Sequence, residues 1–186
     1  MIATGYNRTP ISPTWPGQGD FRGDILHSHA YRNGKPWEGK RVLVVGSGNS
    51  GAEIAVDLIE HGAEAAICIR GPIHFVARDL TGGVPAQIVG IALSRLPVRL
   101  ADSLAVMTSK MMFGDLSSFG VRRPEMGPIT QIRTLGRVPL IDVGTIELIR
   151  NGKLPVLPGI ERFYEGGVEL VDGRREDFDA VVLATG

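Results

Sequence analysis

The period of the hydrophobic and polar positions changes several times along this 186-residue chain. Up to residue 39, Pro, Gly and aromatic residues such as Pro10, Pro13, Trp15, Pro16, Phe21, Tyr31 and Trp37 break any sustained helical or strand period, and the stretch reads as an ordered connector. The run Arg41-Val42-Leu43-Val44-Val45 then predicts a strand covered on both faces. From Ser50, the pairs Ile54 with Leu58 and Ala55 with Ile59 share one helical face, and Gly62 stands where a left-handed cap would stop the helix. Ser50 and Glu53 have capping-box spacing. A second apolar run, Ala65-Ala66-Ile67-Cys68-Ile69, completes a strand, helix, strand unit.

Helical spacing returns between about residues 82 and 116 (Ile88, Ile91, Ala92; Leu100, Leu104, Met107, Met111) and breaks at Pro97. Two inserted helices are predicted, with the Met and Leu stripe in a core. A short helix is expected from Thr145 to Arg150, ended by Asn151-Gly152. Short strands follow at 154–157, 160–164 and 168–171, with a turn at Asp172-Gly173, and a last strand at 180–184. The fold class is therefore α/β: a Rossmann-like dinucleotide-binding domain with a parallel sheet, a helical insertion and a small antiparallel β-meander.

Composition narrows the chemistry. Apolar residues make up 43% and charged residues 22%, so a packed core is expected. Twenty Lys plus Arg balance twenty Asp plus Glu, which disfavours nucleic acid as a partner. Cys68 is the only cysteine, which excludes an internal disulfide, a CxxC redox pair and a cysteine-rich zinc site. The apolar stretch 80–94 contains Gly82, Gly83, Pro85 and Gly90 and is too short and interrupted to span a bilayer. No basic region followed by a long apolar run opens the chain, so a cytoplasmic location is expected.

Gly46-Ser47-Gly48-Asn49-Ser50-Gly51 matches GxGxxG between a predicted strand and a predicted helix, the context that dinucleotide binding requires. Gly46 would permit the tight turn, Gly48 the approach of backbone to a pyrophosphate, and Gly51 close packing of helix on strand. The helix N-terminus adds unpaired N–H groups and a positive dipole end. An NAD site places Asp or Glu about 20 residues further on, whereas an NADP site places Arg near the 2′-phosphate. Here the second strand ends Ile69-Arg70-Gly71-Pro72, which favours NADP, with Arg78 a second candidate for the same phosphate.

Other polar residues carry less. His27-Ser28-His29 lacks a third metal ligand at suitable spacing. GxSxG fails because Ala52 replaces the glycine that Ser50 would need. His61 suits a helix C-terminus, His74 a surface or half-buried place, and Asp142 the cap of the next short helix. No general acid or base is assigned.

Phe21-Arg22-Gly23-Asp24-Ile25-Leu26-His27-Ser28-His29-Ala30-Tyr31 fits FxGxxxHxxxY just ahead of the GxGxxG, and in this the chain resembles the flavin-containing monooxygenases. Arg122-Arg123-Pro124, Gly127-Pro128, residues 139–144 and residues 168–173 resemble, in order, segments of the YUCCA-type branch and its bacterial relatives. The resemblance covers nearly the whole chain. It implies that residues 1–39 are a connector from an FAD-binding domain and residues 40–186 an inserted NADPH-binding domain. The Ala-Thr-Gly triplets at 3–5 and 184–186 would mark the two crossings. It also implies that NADPH reduces FAD, that reduced flavin reacts with oxygen to oxygenate a small organic substrate, and that His27, with Ser50, lines the inner rim of the cofactor site.

A whole family member carries an earlier GxGxxG for FAD, whereas this chain has one such motif, so alone it is expected to be inactive. The alternative is a stand-alone NADP-binding module without turnover. A disulfide reductase is excluded by the single Cys68. Apolar surface facing an FAD-binding domain makes self-association a further expectation.

Overall fold

A computed structural model describes residues 9–80, 84–93 and 95–186. The first Ala-Thr-Gly triplet and the expected start of the helical insertion lie outside the described residues. In chain order the elements are β1 (Asp24–His27), β2 (Arg41–Val45), α1 (Asn49–Glu60), β3 (Glu64–Cys68), β4 (Phe75–Ala77), β5 (Asp79–Leu80), β6 (Val84–Pro85), α2 (Ala86–Leu93), α3 (Val98–Phe113), α4 (Pro128–Leu135), β7 (Leu140–Asp142), α5 (Thr145–Arg150), β8 (Val156–Leu157), β9 (Ile160–Tyr164), β10 (Gly167–Leu170), β11 (Arg175–Asp177) and β12 (Ala180–Leu183).

The central sheet is parallel throughout, in the order β1-β12-β2-β3-β8. Its inner strands β12, β2 and β3 are buried on both faces, and successive residues alternate between two cores. Val42, Val44, Ala65, Ile67, Ala180 and Val182 join α1, α5, β4 and β7 in one core. Leu43, Val45, Ala66, Cys68, Val181 and Leu183 meet Phe163, Val168 and Leu170 of the antiparallel β9-β10-β11 meander in the other. This two-sided burial explains the unbroken apolar run in β2. Gly62, at φ 81°, ends α1 as expected.

Several elements depart from the pattern. A strand, β1, forms in the stretch that showed no strand period, because pairing with β12 holds it at the sheet edge although Asp24 is exposed. The first of the predicted short strands, β8, joins the central sheet and not the meander. No capping box forms at Ser50: α1 starts at Asn49, with Gly48 as an N-cap that makes no side-chain bond. Both inserted helices are present, with Pro97 as the N-cap of α3. Their Met and Leu stripe, however, faces outward, with Met107 53% and Met111 79% exposed, because α3 buries its opposite side through Ala101, Ser109 and Phe113. Among the described residues no helix is long and apolar enough to cross a membrane.

Distant residues set the remaining small elements. β4 and β7 form a separate parallel pair beside α1. Asp102 on α3 caps α4 from outside: its carboxylate accepts from the Ile129 backbone N–H at 2.7 Å and from the Thr130 hydroxyl at 2.5 Å. A β-carbon on Gly127 would overlap that carboxylate. His74 is buried, its Nε2 lying 2.7 Å from the Met126 carbonyl oxygen, where a surface or half-buried place was expected.

Candidate functional site

The glycine turn connects the carboxyl end of β2 to α1, between β12 on one side and β3 on the other. In open α/β sheets such a reversal of strand order is where ligands bind. Gly46 has φ 117°, and a β-carbon on it would overlap the Ala184 carbonyl oxygen just beyond β12. A β-carbon on Gly51 would overlap the Gly46 carbonyl oxygen and lie 3.3 Å from the Ala184 β-carbon. Gly48 differs: nothing stands within 4 Å of the place its β-carbon would take. Two glycines thus close the turn on itself, and the middle one leaves bare backbone facing open space. The N–H groups of the first turn of α1 have no side-chain cap, which suits an anion.

The other expected residues divide. Ser47 lies in the turn and Ser50 is exposed on the first turn of α1. The Asn49 side-chain oxygen accepts from the Ile141 backbone N–H at 2.8 Å, tying the turn to β7. Asp142 accepts from the Ile146 N–H at 3.0 Å and caps α5. Arg70 follows β3, is exposed, and makes no hydrogen bond or ion pair among the described residues. Arg78 follows β4 in the separate two-stranded pair, on the Asn49 side of the turn. A groove of about 620 Å³ lined by Asp102, Met107, Lys110, Met111 and Glu125 contains none of the expected residues. Its Asp102 carboxylate is already engaged with α4.

FxGxxxHxxxY proves to be mainly a docking pattern. The Phe21 ring packs edge-on against Phe163 at 5.5 Å, and a β-carbon on Gly23 would overlap the Asp179 carbonyl oxygen. The Tyr31 hydroxyl donates to Asp57 on α1 at 2.7 Å. Burial, together with the Asp57 carboxylate, holds the Tyr31 phenol above its ordinary pKa. His27 is the exception. It ends β1 opposite Leu183, and its Nδ1 accepts from the His29 N–H at 3.1 Å. In the neutral ring Nε2 then carries the proton, and this buried N–H has no acceptor among the described residues. A buried donor without a partner costs about 1–3 kcal/mol, so the position calls for an acceptor beyond the described residues.

Cys68 ends β3 beneath this site, 4% exposed, its thiol donating to the Pro158 carbonyl at 2.9 Å. Burial pushes that thiol up to about 11. The folded protein is therefore expected to resist alkylation by iodoacetamide at pH 8 and to release one reactive thiol on unfolding. Labelling of the native chain at the rate of a free thiol would contradict this.

The profile of the flavin-binding monooxygenase-like family matches residues 1–186. The chain belongs to this family. It is 42% identical over 186 residues to the indole-3-pyruvate monooxygenase YUCCA4 of Oryza sativa subsp. japonica, covering all of this chain and 42% of that protein. It is 39% identical over 186 residues to the probable indole-3-pyruvate monooxygenase YUCCA7 of Arabidopsis thaliana, covering all of this chain and 43% of that protein. The chain thus spans less than half the length of these curated relatives. The fold is shared with a cyclohexanone monooxygenase from Rhodococcus sp. Phi1 solved bound to NADP+, at a TM-score of 0.73 and 18% identity over 99% of this chain and 45% of that one. A flavin monooxygenase variant from Stenotrophomonas maltophilia gives a TM-score of 0.60 and 22% identity over 95% of this chain and 39% of that one.

Proposed function

We propose that this chain is the NADPH-binding part of an FAD-dependent monooxygenase acting on a small organic substrate. The observation that carries the reading is the order of groups along the carboxyl edge of the sheet. Arg70 lies two residues beyond β3, the glycine turn follows the adjacent β2, and His27 ends β1, two strands further on. With strands about 4.8 Å apart, these groups span roughly 14 Å. An extended dinucleotide laid along that edge would put its 2′-phosphate at Arg70 and its pyrophosphate over Gly48. Its nicotinamide end would point toward β12 and His27.

When bound, NADPH supplies hydride to the flavin, which then activates oxygen. The residues here bind and orient: α1 and the turn hold phosphates, Arg70 selects the phosphorylated ribose, and the Nε2–H of His27 donates to the cofactor pair. The second Ala-Thr-Gly triplet supports an FAD-binding domain at this same edge. Beyond β12 it lies against Ile11, whose N–H donates to the Gly186 carbonyl at 2.6 Å and whose carbonyl accepts from the Thr185 hydroxyl.

The test is a calorimetric titration of the purified chain with NADPH and NADH, repeated with Arg70→Ala. The chain is expected to prefer NADPH. Arg70→Ala should weaken NADPH about 10- to 100-fold, the worth of charge-assisted phosphate bonds, and leave NADH unchanged. An unaltered preference in the variant would remove Arg70 from the phosphate site. The same preparation, mixed with FAD and freed of excess, should be colourless and should not oxidise NADPH. Retained flavin absorbance would overturn the assignment of FAD to another domain.

A further inference from the structure

We infer that Val171 and the Arg70 side-chain stem form the seat of the adenine ring, with Gly159 as the positioning residue that brings them together. This rests on the NADPH reading above and deepens it. Arg70 lies one residue beyond the last bond between β3 and the β8 segment, Ile69 N–H to the Leu157 carbonyl at 2.9 Å. The chain leaving β8 therefore passes beside Arg70. A β-carbon placed on Gly159 would lie 3.8 Å from Arg70 Cγ and 3.5 Å from Val171 Cγ1, so both side chains lie over the same backbone atom. Val171 is fastened there by its own N–H, which donates to the Gly159 carbonyl at 2.9 Å.

Nothing in the fold demands valine at this place. It is 59% exposed, beyond the end of β10, in a turn where polar residues are usual. Gly159 has neither a positive φ nor a backbone overlap to explain it. Both residues find a purpose if a flat, weakly polar ring rests on the pair. The methylene stem of Arg70 and the methyls of Val171 then make one apolar shelf at the phosphate-selecting end of the cleft. The guanidinium at its rim remains free for the 2′-phosphate. The only carboxylate next to Val171 in sequence, Asp172, is engaged by Arg174 at 2.9 Å and so does not compete for Arg70.

The probes are 2′,5′-ADP, which carries the adenine and the 2′-phosphate without a nicotinamide, and nicotinamide mononucleotide. Titrations of the full chain and of Val171→Ala, Val171→Leu and Val171→Asp would be read by calorimetry, with thermal melting as the control for folding. Val171→Ala should weaken 2′,5′-ADP about 5- to 10-fold, as expected for loss of one face of a base contact, and Val171→Leu should leave it within about twofold. Val171→Asp should weaken it more than Val171→Ala. Nicotinamide mononucleotide should be indifferent to all three, and the melting temperature should not move. If the wild-type chain binds 2′,5′-ADP and all three variants bind it equally well, the adenine seat is wrong while the NADPH site stands. If the wild-type chain binds neither 2′,5′-ADP nor NADPH, the cofactor reading falls and takes this inference with it.

Discussion

Gly48→Ala is expected to leave the domain folded and to abolish most of its NADPH binding, whereas Gly51→Ala is expected to damage the fold itself. The difference follows from where the added methyl goes. At Gly48, with φ −80° and ψ 177°, alanine adopts the same backbone without strain, and its methyl points into open space. The methyl would then occupy the space through which a pyrophosphate reaches backbone N–H groups. A loss of about 2 kcal/mol of phosphate hydrogen bonding corresponds to a roughly 30-fold rise in Kd. At Gly51 the methyl would overlap the Gly46 carbonyl oxygen, which belongs to backbone and cannot rotate away. Overpacking of this kind costs about 1–3 kcal/mol, and in a chain of this size each kcal/mol lowers the melting temperature by about 2–4 °C. Melting curves and NADPH titrations of both variants check the pair. An unchanged Kd in Gly48→Ala would show that no phosphate approaches there, and an unchanged Tm in Gly51→Ala would show that the turn relaxes.

That contrast was readable from sequence because the glycine turn is a local device, flanked by two strands whose burial on both faces leaves unbroken apolar runs. The same holds for α5, where the expected span from Thr145 to Arg150 matches the observed helix. What escaped depends on partners far along the chain. β1 carries Asp24 and His27 and becomes a strand only by lying against β12, more than 150 residues later. α4 is capped by Asp102 from another helix, and β4 and β7 are three-residue strands that support one another. The α3 stripe misled because an apolar face at helical spacing signals burial without naming the covering surface. In the site, the glycines of the turn and Arg70 were visible as motif and strand end. The engagement of Asn49 with β7, the His27 nitrogen left without a partner among the described residues and the convergence of Val171 on Gly159 arise only from tertiary contact.

The largest loss of stability is expected from Phe163→Ala, and its consequences should reach the site from the opposite face of the sheet. Phe163 is fully buried in the meander-side core, with the Trp15 ring centroid at 5.6 Å and that of Phe21 at 5.5 Å. Its backbone N–H also donates to the Pro16 carbonyl at 2.8 Å, so residues 15–21 are fastened to β9 by packing and by a main-chain bond. Truncating a buried phenylalanine costs about 3–5 kcal/mol, or roughly 6–20 °C in melting temperature for a domain of this size. Truncation frees the Trp15 and Phe21 rings together, and β1 follows Phe21 by only two residues, so the damage should spread to the strand that carries His27. Hydrogen exchange should accelerate across residues 15–27 more than across β2 and β3. NADPH affinity should change less than about threefold, because β2 and β3, which lead into the glycine turn and Arg70, are also held from the other face by Val42, Val44, Ala65 and Ile67 in the α1-side core. Uniform acceleration of exchange with no local excess would mean that the N-terminal segment is held by the β1–β12 ladder and not by the aromatic cluster. The docking role assigned to Phe21 in FxGxxxHxxxY would then fall.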